Sequence, residues 1–100
     1  MPDLFLKQQY LAELTDIFAK YCPKAEIWAY GSRVKGNFHD GSDLDLCIKD
    51  FGNKDCSVSE LKELINKSNI PILIDISLYD YLPDSFQKEI DKLKVKIFPQ

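Results

Sequence analysis

Two carboxylates stand two residues apart in Ser42-Asp43-Leu44-Asp45-Leu46, separated by ten residues from a Gly31-Ser32 pair. On a strand, side chains at i and i+2 share a face and lie about 6.6 Å apart along the chain. Asp43 and Asp45 therefore aim at one spot. At an effective dielectric of about 20, two such charges about 4 Å apart repel by roughly 4 kcal/mol. A fold that keeps them together calls for a cation, and an all-oxygen donor set suits Mg²⁺. Asp75 is a third acid, set within Pro71-Ile72-Leu73-Ile74-Asp75-Ile76-Ser77-Leu78, where a buried charge without a partner would cost several kcal/mol. If its strand pairs beside the first acidic strand, Asp43, Asp45 and Asp75 would converge on two Mg²⁺ ions. That arrangement suits in-line phosphoryl or nucleotidyl displacement.

Gly31 and Ser32 supply the other half of such chemistry. Glycine lets backbone N–H groups approach a phosphate closely, and the serine hydroxyl adds a donor. Arg33 and Lys35 lie within a turn of this pair and would neutralise triphosphate charge, Lys35 the better placed because the Gly36 bend follows it. His39, the one histidine, reads as a solvated loop residue.

The surrounding pattern supplies elements to position these groups. Residues 3–21 carry Leu6, Tyr10, Leu14, Ile17 and Tyr21 at helical spacing, with Asp3 as cap and Pro23 beyond the end. Glu26–Tyr30 reads as a strand, followed by the Gly31-Ser32 turn and a short helical stretch closed by Gly36. Asp43–Lys49 reads as a second strand, with Leu44, Leu46 and Ile48 opposite Asp43, Asp45 and Cys47. Ser57-Val58-Ser59-Glu60 is a capping box opening a helix that Pro71 terminates. Ile72–Leu78 reads as a third strand, Pro83 as the first turn of a last helix, and Val95–Phe98 as a short final strand. The order α-β-β-α-β-α-β predicts one α/β (α+β) domain over residues 1–100: a small mixed sheet with helices packed on one face and the acids on the other.

Composition narrows the function classes. The chain has 100 residues, 45% of them hydrophobic and 29% charged, which is ordinary globular material. Its longest apolar runs fall far short of a membrane span, and Asp3 and Lys7 do not suit a secretory signal. A net charge of −3 argues against direct nucleic-acid binding, which feeds on a basic surface. Three cysteines without CxxC spacing give neither a disulfide framework nor a zinc site, and Cys47 reads as buried filler; a cytoplasmic location is expected.

Residues 31–46 resemble the signature of the DNA polymerase β-like nucleotidyltransferase superfamily, and most nearly its smallest branch, the minimal nucleotidyltransferases. Gly31, Ser32, Lys35, Gly36, Ser42, Asp43, Asp45 and Leu46 carry the resemblance. It implies a polymerase β palm-like fold and Mg²⁺-dependent transfer of AMP from ATP. Asp43 and Asp45 would be metal ligands and Asp75 the third acid, with Gly31, Ser32, Arg33, Lys35, Gly36 and Ser42 around the nucleotide. Proteins of this kind are often antitoxins paired with a HEPN-domain toxin, and some transfer AMP to a tyrosine of that partner. Relatives often carry a glycine before the last strand, where Lys94-Val95-Lys96-Ile97 runs on directly here.

Size points the same way. Once core and metal site are built, 100 residues leave little material for a second-substrate pocket, which favours a partner protein as acceptor. Two other readings compete: a non-catalytic module that neutralises a toxin by complex formation, and a small-molecule (aminoglycoside-type) nucleotidyltransferase completed by a homodimer.

Overall fold

The computed structural model describes residues 4–36 and 42–99. The chain runs α1 (Gln8–Tyr21), β1 (Glu26–Tyr30), α2 (Ser32–Lys35), β2 (Leu44–Asp50), α3 (Val58–Asn66), β3 (Ile74–Leu78), a 3-10 turn (Tyr79–Tyr81), α4 (Asp84–Lys92) and β4 (Val95–Phe98). The strands form one sheet in the order β3-β2-β1-β4. β1 lies antiparallel to β2 and to β4, and β2 lies parallel to β3, with α3 as the crossover between them.

Alternation decides which side of the sheet each residue meets. Ile27 and Ala29 of β1, Leu44, Leu46 and Ile48 of β2, Ile76 of β3 and Ile97 of β4 all belong to one buried cluster, which Leu14 and Phe18 of α1 and Leu61 and Ile65 of α3 complete. Each fully buried aliphatic or aromatic side chain here contributes about 1.5–3 kcal/mol. Phe18 also meets Phe98 edge to face, at 5.7 Å between centroids. Tyr21 joins the two helices: its hydroxyl accepts from the Ser57 N–H at 2.9 Å and donates to Glu60 at 3.1 Å. The expected capping box is present, for the Ser57 hydroxyl accepts from the Glu60 N–H at 3.2 Å.

The opposite face is covered by a second, smaller cluster. Cys47, Tyr79 and Ile90 are buried there, with Trp28, Tyr30 and Leu82 packed against them. The expectation of helices on one face thus holds for α1 and α3, whereas α4 lays Ile90 against the other. Lys49 and Lys94 flank the Trp28 ring at 5.6 and 4.3 Å from its centroid, which lets long basic stems cover the aromatic surface. All three cysteines are free; Cys47 is fully buried, as filler, and burial pushes its thiol up to about 11.

Element boundaries differ from the sequence reading: β2 runs Leu44–Asp50, one residue later at each end than expected, which leaves Asp43 just ahead of the strand. α1 begins at Gln8, because residues 4–7 leave the helix axis and the Phe5 N–H donates to the Arg33 carbonyl instead; the proposed cap Asp3 lies outside the described residues. β3 begins at Ile74, two residues after the expected start, with the Leu44 N–H bonded to the Leu73 carbonyl at 2.9 Å just ahead of the ladder. No helix among the described residues is long and apolar enough to cross a membrane.

Candidate active site

The two acidic strands are neighbours in the sheet. In the parallel β2–β3 register Asp45 stands opposite Asp75, about 4.8 Å away in the hydrogen-bonding direction, so both carboxylates leave the same face. Asp43, two residues before Asp45 and exposed, lies at the mouth of β2 on that side. Burial, then Asp75, then Asp43 raise the Asp45 carboxyl above its ordinary value of 3.8. Three negative charges therefore bear on one another here. Among the described residues, however, no three acids, cysteines or histidines stand grouped as a ready metal cage. The structure joins Asp45 to Asp75; Asp43 reaches them through charge.

The glycine turn is built against the same acid. Gly31 ends β1 with φ +83°, a left-handed backbone that favours glycine, and a Cβ there would collide with the Oδ2 of Asp45. Both the Val34 and Lys35 N–H groups turn back to the Gly31 carbonyl, at 3.0 Å each, opening α2. Gly36, again left-handed at φ +93°, closes it. The turn and the acidic strand thus meet as closely as two backbones with a carboxylate between them can.

The remaining expected residues divide. Ser32 is half-buried and starts α2; Lys35 is exposed and pairs with Glu89 of α4 at 3.1 Å. Arg33 is turned inward and only 6% exposed. Its guanidinium donates to the Ser42 carbonyl at 3.1 Å and the Phe5 carbonyl at 3.0 Å. It ties α2 to the entrance of β2 and to the segment before α1. Ser42 takes part through that carbonyl. His39 lies outside the described residues.

A cleft of about 270 Å³ opens over the acids, lined by Tyr30, Gly31, Asp45, Asp75, Phe86 and Glu89. A larger hollow of about 770 Å³ lies between Phe5, Tyr10, Arg33 and Ile72, but among the described residues no carboxylate lines it. Chemistry assigns the site to the smaller one.

Two comparisons with known proteins bear on the family. A family model described as the central palm domain of mitochondrial-like poly(A) RNA polymerase matches residues 3–95. A relative from Haemophilus influenzae, described as a probable protein adenylyltransferase, MntA, is 34% identical over 99 residues, spanning 94% of this chain and 83% of the relative. The chain belongs to the nucleotidyltransferase palm family. Among solved structures, a toxin–antitoxin crystal structure with AMP-PNP matches with a TM-score of 0.70 and 15% identity, over 90% of this chain and 73% of that one; this likeness is one of fold.

Within this palm, three cleft residues escaped the sequence reading. Tyr30 stands opposite Asp45 in the β1–β2 pair, and burial, then Asp45 and Asp75, push its hydroxyl up to about 12. Strand alternation and its place next to Gly31 would have found it. Phe86 and Glu89 arrive from α4, far along the chain, and nothing local marks them.

Proposed function

We propose that this palm transfers AMP from ATP, with Mg²⁺, to a tyrosine hydroxyl of a partner toxin of the HEPN type, and so serves as its antitoxin. The observation that carries the reading is the Asp45–Asp75 pair in parallel register, pressed against Gly31. The relative described as a probable protein adenylyltransferase supports the transfer, and the toxin–antitoxin complex of the same fold supports the partner.

The donor types suit the metal, although no three such groups stand together among the described residues. Asp43, Asp45 and Asp75 offer only hard oxygen ligands, and burial together with the Asp75 and Asp43 charges raises the Asp45 carboxyl, a cost that a cation would relieve. These three residues would hold Mg²⁺, which when bound neutralises triphosphate charge and favours the ionised acceptor hydroxyl. Gly31 leaves the space for a phosphate to lie beside Asp45. Lys35, exposed at the rim, turns from Glu89 to the added negative charge. Asp75, exposed and lining the cleft, takes the proton of the incoming hydroxyl. The acceptor oxygen then bonds to the α-phosphorus as the bond to the bridging oxygen breaks, and pyrophosphate leaves. A cleft of about 270 Å³ is shallow for a small second substrate, which favours an acceptor that brings its own surface.

The test is label transfer. The purified chain is incubated with α-labelled ATP, Mg²⁺ and the product of the neighbouring gene, and label is expected on a partner tyrosine. An unlabelled partner that Asp43→Ala/Asp45→Ala protein neutralises as well as wild type would establish the non-catalytic reading instead.

A further inference from the structure

α4 brings a second aromatic ring to the cleft that Tyr30 and the acids line. Phe86 is 52% exposed, unusual for so large an apolar side chain, and it lines the same cleft as Gly31, Asp45 and Asp75. Its neighbour Glu89 lines that cleft too and holds Lys35 at 3.1 Å, while Ile90, one turn beyond Phe86 on the same side of α4, is buried against the sheet. Helix spacing sets Phe86 about 4.5 Å along the axis from Glu89. The ring therefore has a fixed place beside the rim where Lys35 and the glycine turn would take the phosphates. Packing does not require it to be there, since the small cluster closes without it.

We propose that Phe86 is the surface on which the nucleobase of the bound nucleotide stacks. This rests on the nucleotidyl-transfer reading and names a binding residue for it. The cleft, at about 270 Å³, is too small to enclose a nucleoside triphosphate whole, so the base lies against an open wall. Asp45, Asp75 and Glu89 make the surroundings negative, and the exposed Phe86 ring offers a neutral base an apolar face on which to stack. Aromatic stacking accepts any base π-face, so Phe86 supplies affinity more than base selectivity.

The experiment measures binding of ATP and of tripolyphosphate, each with Mg²⁺, to wild type, Phe86→Ala and Phe86→Trp, with circular dichroism as the check of folding. An exposed position tolerates these changes with little loss of stability. Phe86→Ala should weaken ATP about fivefold or more while tripolyphosphate binding stays unchanged, and Phe86→Trp should restore ATP affinity. Equal weakening of both ligands would overturn the proposal by making Phe86 a residue that shapes the cleft. Unchanged ATP binding in Phe86→Ala would overturn it as well and leave the ring to the acceptor. Wild-type protein that binds neither ligand would overturn the transfer reading itself.

Discussion

On one face of the sheet Leu44, Leu46 and Ile48 of β2 are fully buried beneath α1 and α3; on the other, Asp45 of the same strand is half-buried beside a second acid, in a cleft that an exposed phenylalanine also lines. The first face gains from every atom it removes from water. The second holds like charges together, leaves Phe86 in solvent and uses a left-handed glycine where a β1 side chain would have packed. One strand serves both, because its residues alternate. A site built this way is rigid from beneath and costly on top, and the cost marks where function lies.

The contrast can be broken first from the apolar side. Phe18→Ala opens a cavity in the fully buried cluster and should cost about 3–5 kcal/mol in urea unfolding, a large share of the stability of a domain this size. Gly31→Ala acts on the site face. The residue must adopt φ +83° and push against Asp45, so a loss of about 1–3 kcal/mol is expected together with a fall in label transfer. A fall in stability alone would show that the turn is only structural.

Asp45→Asn should move stability the other way. The folded protein holds the Asp45 proton more tightly than the unfolded chain does, so ionisation of this carboxyl opposes folding. The penalty is absent below about 3.8, grows as pH rises toward the raised folded value, and is complete above it. In EDTA at pH 7 the variant should melt above wild type, and the gap should close near pH 3. A variant that melts lower at pH 7 would show that Asp45 is a structural acid. The smallest effect belongs to Glu89→Gln, which removes the exposed pair with Lys35; under about 1 kcal/mol is expected, with the difference fading in high salt.

The same two faces explain what the sequence let one read. Strand alternation in Leu44-Asp45-Leu46-Cys47-Ile48 and the capping box at Ser57 are local signals, and both appear in the structure as expected. Asp75 required a guess that its strand pairs with β2, and the parallel register satisfies it. The hydrogen bonds of Arg33 to the Phe5 and Ser42 carbonyls could not be read from its neighbours, since they depend on how α2 packs against two distant segments. The start of α1 was hidden for the same reason: the contact that draws residues 4–7 away comes from residue 33. Phe86 and Glu89 join the cleft only because α4 crosses to the second face, a matter of tertiary packing that no spacing announces.

The central claim is that Asp45 and Asp75 act as one unit, and transfer rates of Asp45→Asn, Asp75→Asn and the double variant test it directly. If both acids serve the same ions, each single change should lower the rate about a hundredfold or more, and the double variant should fall little below the worse single one. Losses that multiply, or a single variant at the wild-type rate, would contradict the account.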